Sequence, residues 1–246
     1  MNGLTSIIAG LLATIIVGIT PSLNAQDLEE ILEGHYEVMN MDALLKVKSV
    51  KTEGKMIMMG GQMEMGLTQM QMRPKKSRME MDFQGNAFIS VFDGEGGWMI
   101  NPMAGPEPQE LPEDQLEQMK QNAYIEGILY NYEEKGYKVE LDGEDDVEGT
   151  PTYKLKVIPT EGTAETIFMH LDQDSYIIIK VDAIINVPGQ GEVEAETFLS
   201  NYKEIDGIPF AHSVETRASG QVFSEFIFET ITLNPELDES LFESEQ

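Results

Sequence analysis

The chain has 246 residues, a formal net charge of −28 and no cysteine. An acidic excess of this size repels nucleic acid and anionic membrane surfaces, so neither is expected as a partner. The lack of cysteine excludes disulfides, thiolate nucleophiles, cysteine zinc sites and a lipid-modified cysteine.

Taken in chain order, the first feature is an apolar run at Ile7–Ile19, followed by "TPSLNAQ". Its 13 residues are short for a bilayer span and suit an export signal, although no Lys or Arg precedes them. The expected organisation is a signal peptide at 1–25, cut near Ala25, and a single domain at 26–246. The mature protein is then expected to be soluble in a periplasm or outside the cell. Residues 27–47 carry Leu28, Ile31, Leu32 and His35 at helical spacing, and "NMD" is expected to divide them into two helices, with Asp42 capping the second.

From Val50 the period changes to two. "VKTEGKMIMM" and "QMEMGLTQMQM" flank Gly60-Gly61, a hairpin signal. "SRMEMDF" and "NAFISVFDG" flank Gln84-Gly85, and "GGWMINP" follows a turn at Asp93-Gly94. After a proline-rich loop, Leu116, Met119, Ala123 and Ile128 mark one face of a helix expected at about 112–130. The remainder returns to strands, with turns at "LDQDS" and Ser219-Gly220, and ends in an acidic tail, "PELDESLFESEQ", expected to be partly loose. The pattern is α+β: one large antiparallel sheet of about 11–12 strands, with 2–3 helices gathered on one side.

Methionine is the unusual component. Met56/Met58, Met63/Met65, Met70/Met72 and Met79/Met81 form four Met-x-Met pairs among 16 methionines. On a strand, residues i and i+2 share a face. Neighbouring strands would gather these pairs, with Phe83, into one patch. Ordinary cores favour Leu, Ile, Val and Phe, whereas flexible methionine suits surfaces that accept variable apolar partners. A ligand cavity, a plain core and a Cu(I) thioether site are the three readings of the patch. Trp98 alternates with Ile100 and suits a core or a cavity wall.

Catalytic signatures are lacking: there is no G-x-S-x-G, H-E-x-x-H, P-loop or G-x-G-x-x-G. No enzyme activity, cofactor or resident metal is expected. His35, His170 and His212 are far from the methionine run in sequence, and "DGEDD" at 142–146 reads as an acidic turn rather than a calcium loop. "RPKKSR" concentrates basic residues, so Arg73 or Arg78 could stand at the rim of the methionine-lined space.

The order of these segments resembles the outer-membrane lipoprotein-sorting family, the LolA/LolB-like periplasmic carriers, in its Bacteroidetes-type form. "ILEGHYEVMNMDALLKVKSVKTEGKM", "RPKKSRMEMDFQG", "VFDGEGGWMINP", "YKEIDGIPFAHSVET" and "ITLNPELDESLFE" carry the resemblance. It implies an open half-barrel sheet with helices over its concave side and an apolar space for acyl chains. By this resemblance the Met pairs, Phe83, Trp98 and Ile100 line that space. Arg78 matches an arginine linked to lid closure, and the helix with Leu116 and Met119 covers the opening. The implied ligands are lipids or lipoprotein acyl chains, passed by a monomer between inner- and outer-membrane acceptor proteins. A Met-rich copper-binding protein and an adaptor on the same fold are the alternatives.

Overall fold

Alternating apolar and polar residues, punctuated by two-residue turns, generate a meander that occupies most of the chain. The structure, a computed structural model, describes residues 23–162, 165–187 and 191–243. The apolar run at Ile7–Ile19 lies outside the described residues, and Ala25 falls within the first helix. Helices are α1 (Leu23–Val38), α2 (Met41–Leu44) and α3 (Glu113–Asn122). The first strands are β1 (Ser49–Met58), β2 (Met63–Met72), β3 (Lys76–Phe83), β4 (Asn86–Phe92), β5 (Gly97–Ile100) and β6 (Gln109–Glu110). They are followed by β7 (Tyr137–Val147), β8 (Thr150–Pro159), β9 (Ile167–Asp172), β10 (Ile178–Val187) and β11 (Gly191–Ser200). The last are β12 (Lys203–Ile205), β13 (Ile208–Phe210), β14 (Ser213–Ala218) and β15 (Gln221–Leu233).

Thirteen strands form one open antiparallel sheet in the order β6-β5-β4-β3-β2-β1-β15-β14-β11-β10-β9-β8-β7, and β12-β13 form a separate hairpin. That exceeds the expected 11–12 strands, in part because the two-residue β6 lies in the proline-rich loop, too brief for alternation to register. Gln84-Gly85, Glu148-Gly149 and Ser219-Gly220 all take positive φ at both residues, as two-residue hairpin turns require. The acidic 142–146 stretch is strand rather than turn: it lies inside β7, where pairing shifts between Leu141 and Gly143. The helix expected at 112–130 stops at Asn122 and continues as turns to Gly136. The break between α1 and α2 falls at Asn40, whose backbone is left-handed at φ 47 and which occupies the cap position in place of Asp42. Its side-chain amide donates to the Gly207 carbonyl in the β12-β13 turn.

One face of the sheet receives the helices. Ile31 and Leu32 of α1 pack with Tyr137, Val139, Leu155, Val157, Met169 and Leu171. Met41 and Leu44 of α2 pack with Val50 and Ile208, and Met119 and Ala123 pack with Phe92 and Leu111. Residues 111–136 join the two sheet edges, β6 and β7. Along the way this segment touches Phe92 through Met119, Val50's cluster through Ile125 and Tyr130, and Leu155's cluster through Ile128 and Leu129. It is a strap across the helix-side face. The opposite face is covered beside β2–β5 by the C-terminal segment, where Phe242 is fully buried against Met70, Val91 and Trp98. The acidic tail is therefore docked through residue 242, because Leu237, Leu241 and Phe242 supply an apolar stripe among its acids.

Candidate functional site

Directly paired residues of antiparallel strands share a face, so register assigns every side chain. Met56 pairs with Met65 and Met58 with Met63. On the flank away from β2, Met56 pairs with Phe226 and Met58 with Ser224. Leu67 pairs with Met81 and Gln69 with Met79, while Met81 also meets Phe88 and Phe83 meets Asn86. The chain of register continues through Gln71, opposite Val50 and Ser77. Both polar residues bond to the strap: the Gln71 amide donates to the Asn122 carbonyl and the Ser77 hydroxyl to the Met119 carbonyl. Met56, Met58, Met63, Met65, Met79, Met81 and Phe83 thus share the helix-side face.

The other predicted residues do not join them. Met70 pairs with Lys51 and Arg78, and Met72 with Ser49. Arg78 faces Val91, which faces Trp98, and Ile89 faces Ile100. These five positions (Met70, Met72, Arg78, Trp98 and Ile100) lie on the opposite face under the C-terminal segment. The expected single patch is corrected on this point. β2 pairs with β1 without a bulge from Met63 to Met72, so the odd separation of Met65 and Met70 puts them on opposite faces.

Arg78 serves the C-terminal segment rather than a rim. Its guanidinium donates to the Leu241 carbonyl at 2.8 Å, pairs with Glu80 and lies over the Trp98 ring. Lys76 adds an ion pair to Glu239, and the Ser49 hydroxyl donates to the Pro235 carbonyl. Arg73 is on the strap side. It donates to the Val47 and Leu44 carbonyls and pairs with Glu126 at 2.6 Å. Glu126 also pairs with Lys135 at 2.9 Å, and its side chain is 8% exposed. Burial alone would push the Glu126 carboxyl up, but hydrogen bonds from Lys135 and Arg73 outweigh it and hold the group below its ordinary value. Leu116 and Met119 of α3 pack against Phe92 and Leu111.

The helices and strap lie over the end of this face marked by Val50, Gln71, Ser77 and Phe92. Toward the Met58–Met63 and Phe83–Asn86 turns the cover gives out. Met56, Met58, Met63, Met79, Met81, Phe83, Phe88, Phe226 and Phe228 are all only half-buried. This is an open apolar surface built on a rigid sheet. Two recesses lie elsewhere: one of about 470 Å³ beside Trp98, Glu107 and Glu110, and one of about 330 Å³ between α1 and the β7–β8 edge.

Charge is segregated between the faces. Across β4, β3, β2, β1, β15, β14, β11 and β10, no paired position sharing the methionine face carries Asp, Glu, Lys, Arg or His. The alternating positions carry Lys51, Glu53, Lys55, Glu64, Arg78, Glu80, Asp82, Lys180, Asp182, Glu196, Glu215, Arg217 and Glu225. Several pair there, such as Lys180 with Asp182 and Glu196, and Arg217 with Glu215. The three histidines are all buried. His35 donates from Nδ1 to the Tyr176 carbonyl, and burial pushes its pKa down. His170 meets Asp182 at 2.8 Å on the charged face. Among the described residues, no cluster of three or more His, Asp and Glu could hold a metal ion. Among the same residues, no helix is long and apolar enough to cross a membrane.

Comparison with known proteins bears on this geometry. A family model described as "Uncharacterized protein" matches residues 97–246, more than half of the chain. No curated protein matches the sequence. A LolA-superfamily protein from Nitrosomonas europaea superposes with a TM-score of 0.61 at 15% identity, covering 90% of this chain and 98% of the other. A structure from Vibrio parahaemolyticus, of the kind described as an outer membrane lipoprotein-sorting protein domain, gives 0.60 at 16% identity and covers 87% and 96%. A DUF1329-family protein from Desulfovibrio piger gives 0.60 at 16% identity, with 87% and 97% covered. At such identities the likeness establishes a common fold.

Proposed function

Since the chain belongs to the family whose model matches residues 97–246 and has a LolA-like fold, we propose that it is an exported, non-catalytic carrier of acyl chains. Residues 1–25 act as the signal peptide and 26–246 as one carrier domain, a monomer working in the periplasm. The cargo is a lipid or the acyl chains of a lipoprotein, received from an inner-membrane partner and delivered toward the outer membrane. One observation carries the reading: Met56, Met58, Met63, Met79, Met81 and Phe83 stand half-exposed on one uncharged face. A monomeric protein seldom leaves such a contiguous apolar surface without a use.

Binding is driven by transfer of chain methylenes out of water, worth about 0.8 kcal/mol per buried CH₂. Methionine side chains repack around chains of different length and branching with little penalty. Burying two or three chains gives a gross drive of tens of kcal/mol, about 0.8 kcal/mol at a time, so unaided release is slow. Release therefore depends on an acceptor that reaches the uncovered methionine end, while the strap at 111–136, anchored by Arg73, Glu126 and Lys135, closes the other end. The acidic surface keeps the loaded carrier away from anionic bilayers between partners.

The test is native mass spectrometry of the mature protein, purified from its own cell envelope without detergent. Added mass that resolves into fatty-acyl species on organic extraction supports the carrier. A bare polypeptide mass contradicts it, and added copper would transfer the Met-x-Met pairs to metal handling.

A further inference from the structure

The segregation of charge bears on which lipids the face accepts. The methionine face contains polar groups, all of them neutral, among them Thr52, Gln69, Ser90, Thr197, Thr216 and Ser224. The described turns at its open end, 59–62, 84–85 and 219–220, are uncharged as well. The nearest cations on the same strands, Lys51, Lys55, Arg78, Lys180 and Arg217, stand at alternating positions that project from the other face. Each is already paired with a carboxylate there. Arg73, Lys120 and Lys135 at the covered end are paired with Glu126 and Glu117, and Lys75 there is exposed and held over the Tyr124 ring, away from the methionines.

We infer that the methionine face selects uncharged long-chain lipids, such as acylglycerols or fatty alcohols, over ionised amphiphiles of equal chain length. The inference rests on the carrier reading and narrows its cargo. An ionised carboxylate or phosphate drawn onto this face with its chain would lose water with no cation on the face to meet it. The alternative, leaving the head in water, shortens the length of chain that is buried. A protein of net charge −28 also repels an anionic head at its rim. Neutral hydroxyl and ester groups can instead be met by the Thr, Ser and Gln side chains.

The experiment uses the mature protein at pH 8 and the uncharged fluorescent probe N-phenyl-1-naphthylamine. Hexadecanol and hexadecanoate, each below its aggregation threshold, compete for the probe. Hexadecanol is expected to displace it at least tenfold more effectively. Met63→Lys, which puts a cation at a half-exposed position on the face, is expected to narrow that ratio by improving hexadecanoate. Equal or stronger competition by hexadecanoate in the unaltered protein overturns the selectivity while leaving the carrier intact. An unchanged ratio in Met63→Lys, with hexadecanol still bound, likewise overturns it. If the probe does not bind, or neither lipid displaces it, the carrier reading fails and this inference falls with it.

Discussion

The two halves of the helix-side face follow the same alternation and end differently. Under α1, strands β7–β9 present Val139, Leu155, Val157 and Leu171, and Leu155, Val157 and Leu171 are 0% exposed. At the open end of β1–β3, the same alternation presents Met56, Met58, Met63, Met79 and Met81, all half-buried. Branched side chains with defined rotamers predominate in the region that a helix closes, with Met169 and Tyr137 among them. Unbranched, deformable ones fill the region left open. Period two therefore says which residues share a face, and residue type says whether that face is permanently occupied. The family match begins at Gly97, so the methionine strands lie outside it.

Breaking the closed regions should cost the most. Phe242→Ala removes the plug of the opposite face and should destabilise by about 3–5 kcal/mol in urea unfolding. Because Phe242 is on the face remote from the methionines, competition by hexadecanol should survive below the unfolding transition. Loss of binding in the folded variant would contradict the separation of faces. Leu155→Ala should cost about 2–5 kcal/mol through the cavity it leaves beneath α1.

The strap's anchor comes next. Glu126→Gln weakens charge-assisted bonds to Arg73 and Lys135, with an expected loss of about 1–3 kcal/mol in unfolding at neutral pH. Its acid dependence has a definite sign. Glu126 is held below its ordinary value of 4.5, so its stabilisation is present above that pH and is lost as pH falls through the depressed value. The variant should lack that loss. His35 acts at higher pH. Burial holds it below 6.5, so the unfolded chain takes up a proton that the folded chain resists, and stability declines as pH falls below 6.5. His212 is shifted in the same direction by burial and by Lys203. Between pH 7 and pH 5 the urea midpoint of the unaltered protein should fall relative to that of His35→Gln; parallel profiles would contradict a buried neutral His35.

The open region should tolerate change best. Met81→Leu keeps volume and polarity and should alter stability by less than about 1.5 kcal/mol. Its effect should appear in selectivity among chain lengths, read by competition with alcohols of 12 to about 20 carbons, because leucine repacks less freely than methionine.

Much of the architecture was legible in the residues. Gln84-Gly85 and Ser219-Gly220 marked real two-residue hairpin turns, and Gly60-Gly61 the centre of a four-residue one, because all these positions demand residues tolerant of positive φ. The antiparallel α+β sheet followed from them. The division of the methionines was legible too, as arithmetic: Met65 and Met70 are five apart on one unbroken strand. Trp98 and Ile100 were not, since their face depends on how β5 registers against β4 across the Asp93–Gly96 turn. Arg78 was also obscure, because its partner is a backbone carbonyl 163 positions away. The docked tail carried a faint signal in Leu237, Leu241 and Phe242, masked by the acids around them.

The central claim is that the half-exposed methionine face, and not its reverse, receives an apolar chain. Photo-crosslinking with a diazirine-bearing hexadecanol, followed by peptide mapping, tests it most directly. The account predicts adducts on 56–65, 79–83 and 224–228 that hexadecanol competes away. Adducts concentrated on Trp98, Ile100 or 237–242, or labelling that hexadecanol does not reduce, would contradict it.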